Sequence, residues 1–332
     1  LTTAIHVSST ELAAKVTDAM AQREADIVTT HLKSGVELVS DGAVVTTVPM
    51  TEILSWLDIS TTNDVLKLTV NTTRASKWLS DNVAPKVASP AGTSYVTTYD
   101  FTEVSRQNGK SGRALDVANA VDALQQVVDG SSPKVILAET IVAPTVQYTR
   151  SYSASDTGFS ALLANYAKDH NGTFGVSYIE LDGKKRHADY QGDKRFVTAS
   201  TYKLFAAYEL LKQIDAGTRS WDNESTCFNK MISLSDNACA EAYLDSLGLS
   251  TITKDIQAIG LKNSTFMISG GPFTTANDLS LLLGMVQSQQ NFSSVNRDRL
   301  ISAMKSNVYR KGIPAGVNGT VADKVGFLDG LL

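Results

Sequence analysis

Near residue 150 the texture of the chain changes, and that break constrains the fold more than any other feature. Residues 1 to about 150 are rich in Thr, Val, Ser and Ala. They carry short β-branched runs such as Val44-Val45-Thr46-Thr47-Val48 and Leu66-Lys67-Leu68-Thr69-Val70, the second alternating at period two like a half-buried strand. Helical spacing is confined here to Glu11 to Ala25, behind Thr10 as an N-cap, and to Leu115 to Val128. Turn chemistry at Asp129-Gly130-Ser131-Ser132-Pro133 closes the second of these. After the polar, aperiodic stretch Tyr152 to Gly158 the order differs. A helix around Phe159 to Lys168 precedes a strand from Phe174 to Leu181, a hairpin signal at Asp182-Gly183 and a second strand running towards Val197. A helix then starts at Ser200, with Leu204, Phe205, Tyr208 and Leu211 on one face. More helices are expected at Thr226 to Ser233, Ala238 to Leu247, Thr251 to Ile259, Ala276 to Gln287 and Ser294 to Lys305, before a closing strand near Val321 to Leu328. Thr275 and Asp278 form a capping-box signal ahead of the fourth. The pattern predicts two α+β domains: an accessory module over 1–150 and a second domain over 158–332.

Composition narrows the function classes. Of 332 residues, 42% are hydrophobic and 19% charged, enough for a core in each half. Thirty Lys+Arg against 34 Asp+Glu give a net charge of -4, which supplies no general field for nucleic acid or anionic lipid. No run of 18 apolar residues occurs. The first residue is Leu1 rather than Met, so any membrane attachment is expected from an upstream anchor outside this sequence. His6, His31, His170 and His187 lie far apart without HExxH, and the two cysteines lack CxxC spacing, so neither a metal nor an organic cofactor is expected.

Chemistry concentrates in three short segments. Ser200-Thr201-Tyr202-Lys203 opens the amphipathic helix, and residues three apart share a helix face, so the lysine amine can reach the serine hydroxyl. A serine needs a neighbouring base to become a nucleophile, and a desolvated lysine can be one. The helix N-terminus also offers N–H groups to an oxyanion. Ser235-Asp236-Asn237 adds a hydroxyl that can relay a proton and an amide that can hold a carbonyl. Lys324-Val325-Gly326 adds a cation for a carboxylate and a glycine that lets a ligand approach the backbone. Each motif alone is weak: SxxK recurs at Ser131–Lys134 and Ser302–Lys305, SDN at Ser80–Asn82, and KxG at Lys33–Gly35 and Lys110–Gly112. Only the set beginning at Ser200 runs SxxK, SDN, KxG with the first motif at a helix start.

With that order, residues 158–332 resemble the serine penicillin-recognising family of class A β-lactamases, penicillin-binding proteins and D,D-peptidases. The hairpin before Ser200 looks like the family's first two strands, and the Thr274 to Leu282 stretch like the helix after its Ω-loop. The resemblance implies a β-lactamase/transpeptidase-like domain with an antiparallel sheet and a helical subdomain. It implies Ser200 as the acylated nucleophile, Lys203 as its base and Ser235 as the proton shuttle to the leaving nitrogen. Asn237 would hold the substrate's side-chain amide and Lys324 its carboxylate. The N–H groups of Ser200 and Phe327, the residue after Gly326, would form the oxyanion hole, and Asp236 would orient its neighbours. The N-terminal half resembles, in texture, the peptidoglycan-binding modules found ahead of such domains; a spacer without a ligand is the alternative.

Three departures from the family pattern matter. Val325 replaces the usual Thr or Ser, removing a hydroxyl contact worth ~1 kcal/mol. The stretch Gly260 to Pro272, where class A enzymes carry ExxLN, has no Glu or Asp, so the acyl-enzyme formed with β-lactams should be long-lived. The family's further strands and C-terminal helix after KxG do not appear, so the domain is expected to lack its C-terminal strands here. Cys227 and Cys239 would sit about 18 Å apart in one straight helix. A turn at Ser233 to Asp236 would allow a disulfide in the oxidising compartment the family implies; buried thiols are the alternative.

The expectation is an extracytoplasmic acyl-serine hydrolase that cleaves an amide, either the D-Ala-D-Ala bond of a peptidoglycan stem peptide or a β-lactam. A true class A-like β-lactamase with another deacylation route, and a wall-binding protein with a vestigial site, are the rivals.

Overall fold

The computed structural model describes residues 16–62 and 65–328. They form two compact units: one of residues up to Thr97 together with Glu103–Thr149, the other of Thr98–Thr102 together with Arg150 onward.

The first unit starts with α1 (Asp18–Leu32), whose N-cap Thr17 accepts a hydrogen bond from Met20 N and whose Val28 and Leu32 face inward. The start of the expected helix, Thr10 to Lys15, lies outside the described residues, and its end runs past Ala25 to Leu32. Strands β1 (Val36–Ser40) and β2 (Ala43–Val48) pair antiparallel across a two-residue loop. That loop is Asp41-Gly42, both at positive φ, the conformation in which Asp-Gly closes a hairpin with the native strand twist. After α2 (Met50–Ser55) come β3 (Leu57–Thr62) and β4 (Val65–Val70), a second antiparallel pair. Helices α3 (Thr72–Asn82) and α4 (Ala84–Val87) follow, then β5 (Thr93–Tyr99), β6 (Thr102–Gln107) and β7 (Gly112–Leu115). Asp116 caps α5 (Val117–Val128), which begins two residues later than its sequence pattern. Strands β8 (Val135–Ile136), β9 (Glu139–Val142) and β10 (Thr145–Ser151) complete the sheets, ordered β2-β1-β8, β10-β5-β6 and β7-β9. Leu32, Leu38, Ile53, Leu79 and Leu124 are fully buried in one core, beside the Trp56–Trp78 ring pair.

In the second unit the polar stretch 152–158 is tied down rather than slack. Asp100 accepts from Ser153 N and Oγ at 2.7 Å each, and Ser155 caps α6 (Asp156–Asp169). Strands β11 (Val176–Ile179) and β12 (His187–Tyr190) form the expected hairpin. The second strand does not continue to Val197. Gln191 turns to positive φ, and β13 (Phe196–Val197) instead pairs with β14 (Phe273–Thr274).

The helices pack around a single core. They are α7 (Lys203–Asp215), α8 (Trp221–Asn229), α9 (Asn237–Leu247), α10 (Leu249–Ala258), α11 (Ala276–Gln287) and α12 (Ser294–Lys305); the short α13 (Ile313–Gly316) buries no residue. Thr275 accepts from Asp278 N as a capping box requires, but the Asp278 carboxylate turns to Asn263 N and Ser264 Oγ instead of closing the box. The unit is α+β.

The expected strand at Val321 to Leu328 does not form: apart from a single bridge residue at Leu328, the segment is irregular. A strand needs a neighbouring edge for its polar groups. Here Asp323 N donates to Met304 O, while Asn307 and Arg310 side chains donate to Asp323 O and Val321 O. Val321 and Asp323, which lead into Lys324, are thus held by a helix end and side chains.

Candidate active site

The entry to α7 is strained. Ala199, a residue with a Cβ, sits at φ 44°, a left-handed conformation that costs roughly 1–3 kcal/mol unless its surroundings impose it. Those surroundings are visible on both sides. Thr198 is buried, its N–H donates to Pro272 O, and its carbonyl accepts from Thr201 N and Oγ1. The chain then makes one 3-10 turn, Ala199–Tyr202, before α7 proper. The helix starts with this tighter turn, not with α geometry at Ser200. Ser200 is half-buried at the N-terminus, where N–H groups lack helical acceptors. Lys203 is fully buried at the head of an unbroken buried run to Leu211.

The second segment is a corner. The expected helix Thr226 to Ser233 begins earlier, at Trp221, and passes into a π turn at Lys230–Leu234. One widened turn of this kind redirects the chain beyond it and is frequent at functional positions. Ser235 ends it in the left-handed conformation, φ 57°. Asp236 caps α9, accepting from Cys239 N at 2.8 Å. Across this corner Cys227 and Cys239 form a disulfide with Cα atoms 5.3 Å apart.

The third segment abuts the first. A Cβ on Gly326 would lie 2.9 Å from Thr198 O and 3.1 Å from Ser200 N, so only glycine allows this approach.

These three segments meet at two amines. Lys203 Nζ is 3.1 Å from Ser200 Oγ, 2.6 Å from Ser235 O, 3.2 Å from Ser235 Oγ and 2.7 Å from Asn237 Oδ1. Lys324 Nζ is 2.8 Å from Ser235 Oγ and 2.7 Å from Val325 O. The two shortest Lys203 contacts go to carbonyl oxygens, which only accept; the two longer ones go to hydroxyls, which can also donate. A neutral amine can fill this cage. Its two N–H groups go to Ser235 O and Asn237 Oδ1, leaving the lone pair for the Ser200 hydroxyl proton.

Burial moves Lys203 towards that neutral form. Burial lowers the Lys203 pKa, against the attraction of Asp236 and Glu241. Lys324 is lowered to about 8, first by burial and then by the neighbouring Lys203 charge, with Asp323 opposing. The Ser235 hydroxyl, bridging both amines, can accept from one while donating to the other.

The remaining expected residues lie around this cluster or away from it. Phe327 follows Gly326, but its side chain is exposed and packs edge-on against Tyr309, centroids 5.5 Å apart. The Gly260 to Pro272 stretch lays Phe266 against Tyr202 and Phe205, at 6.0 and 6.3 Å between centroids. Ser302 and Lys305 are on α12. Among the described residues no three His, Cys, Asp or Glu side chains gather as metal ligands. Sequence reasoning missed the strained Ala199, the π turn and Tyr309. None leaves a sequence signal, because alanine at positive φ and a five-residue turn both run against local preference.

Known proteins match part of this chain. The sequence model described as the beta-lactamase enzyme family matches residues 158–227 and 225–332, more than half of the chain. No curated protein matches the chain. Among solved structures, PBP-A is 22% identical over 54% of this chain and 80% of its own, with a TM-score of 0.48. A beta-lactamase from Sphaerobacter thermophilus is 18% identical over 52% and 79%, TM-score 0.47. One from Desulfarculus baarsii is 20% identical over 52% and 79%, TM-score 0.47.

Proposed function

The chain belongs to the beta-lactamase enzyme family, and on that premise we propose that its second unit is an extracytoplasmic acyl-serine hydrolase acting on D-Ala-D-Ala stem peptides and β-lactams. The observation that carries this reading is the hydrogen-bond cage of Lys203, which suits a neutral amine beside a serine hydroxyl.

In the proposed reaction Lys203 takes the Ser200 proton as Oγ attacks the amide carbonyl carbon. The electron pair of the carbonyl moves onto its oxygen, held by the N–H groups of Ser200 and Phe327. The proton passes through Ser235 Oγ, 3.2 Å from Lys203 Nζ, to the departing nitrogen as the C–N bond breaks. Lys324 attracts the substrate carboxylate. Asn237, whose Oδ1 is engaged by Lys203, keeps its amide N–H groups for the substrate carbonyl. Water then releases the acyl group. All of this needs only side chains and backbone, with peptidoglycan peptide or β-lactam as partner. The Cys227–Cys239 disulfide supports an oxidising compartment. The first unit we read as an accessory module for the cell wall.

The stretch 260–272 offers no carboxylate to a hydrolytic water, which favours a penicillin-binding or peptidase-like enzyme over an efficient lactamase. Nitrocefin hydrolysis followed from the first second tests this. A burst of one equivalent followed by slow turnover is expected; fast steady turnover supports the lactamase instead. No burst with wild-type protein supports a vestigial site.

A further inference from the structure

Glu241 stands one turn beyond Asn237 on α9. Residues four apart on a helix share a face, with Cβ atoms about 5–6 Å apart. Asn237 Oδ1 lies 2.7 Å from Lys203 Nζ, so this face of α9 looks onto the Ser200–Lys203 pair. Two carboxylates act on Lys203 through space, Asp236 and Glu241, and Glu241 acts on Tyr202 as well. The two are not equivalent. Asp236 is committed to Cys239 N, where it holds the first turn of α9. Glu241 is exposed and, among the described residues, forms no hydrogen bond or ion pair. The stretch Gly260 to Pro272 also reaches Tyr202, through Phe266, and contains no acid. Of the two carboxylates that act on Lys203 among the described residues, the uncommitted one is thus Glu241, on α9.

We propose that Glu241 is the general base that activates water against the Ser200 acyl-enzyme. The assignment rests on the acyl-serine reading above. The water oxygen bonds to the acyl carbon as its proton passes to the Glu241 carboxylate, and the carbonyl pair moves onto the oxyanion. The intermediate then collapses. The carbonyl re-forms, the bond from carbon to Oγ breaks, and the proton on Glu241 returns through Lys203 to Ser200 Oγ. The products are a free carboxylic acid and the original serine. A base on a helix flank, with no second acid in the stretch 260–272, fits slow but finite release.

The test follows formation and decay of the adduct by intact mass spectrometry with benzylpenicillin, on wild type, Glu241→Gln and Glu241→Ala. In Glu241→Gln the ratio of acylation to deacylation rate should rise at least tenfold, acylation itself reporting that the protein is folded. Hydroxylamine, a stronger nucleophile than water, should release the trapped adduct, and sodium formate should restore part of the hydrolysis in Glu241→Ala. Decay of the Glu241→Gln adduct at the wild-type rate overturns the assignment, and so does slowed decay that neither reagent rescues. Absence of any Ser200 adduct on the wild type overturns the acyl-serine reading and the assignment together.

Discussion

Lys203 and Lys324 share one hydroxyl, and their lowered pKa values set opposite demands on pH. Lys203 acts as a base only when neutral, so its useful fraction grows as pH rises through its lowered pKa. Lys324 attracts a carboxylate only when charged, and that charge is present below about 8 and lost above it. We therefore expect kcat/KM for a carboxylate-bearing substrate to climb with pH and then fall above about 8. The fall should appear as a rising KM, and Lys324→Ala should abolish it; a steady-state pH series checks this. Gly326 makes a second prediction at this scale. Its Cα backs onto Thr198 O and Ser200 N, so Gly326→Ala must push the two segments apart. Overpacking of this kind costs about 1–3 kcal/mol. The acylation rate should fall with it, as stopped-flow acylation would show. The pairing of Ser200 with Lys203 was legible from spacing alone, since three residues along a helix suffice. The strain at Ala199 was not, because it is imposed from outside by Thr198 and Pro272.

Among the elements, agreement tracks how local the determinant is. Helices α11 and α12 begin and end where Thr275 and Ser293 caps and apolar periodicity put them. Helix α8 does not, because the π turn after it breaks the 3.6 period without any Gly or Pro to announce it. The closing strand failed for a different reason. Alternation marks a segment able to pair, but pairing needs an edge, and Val321 and Asp323 are instead bonded to Met304, Asn307 and Arg310. The SDN corner is held by the Cys227–Cys239 bond between α8 and α9. Closing a short loop in this way contributes about 2–4 kcal/mol. The Cys227→Ser/Cys239→Ser variant should lose about that much in urea unfolding, and wild-type cysteines should alkylate only after reduction.

For the whole molecule, the sequence order SxxK, SDN, KxG indicated which segments form the candidate site but not how three distant segments converge. Convergence came from features without a linear signature: a 3-10 entry into α7, a left-handed Ser235 and a glycine-tight contact at Gly326. The two-part texture of the chain was legible because strand-forming and helix-forming halves differ in composition. The most direct test of the central claim is intact mass spectrometry after incubation with benzylpenicillin, with the adduct mapped by peptide on wild type and Ser200→Ala. The account predicts one covalent adduct per chain, on the peptide that carries Ser200, and none on the variant. An adduct on any other residue, or the same labelling of Ser200→Ala, would contradict it.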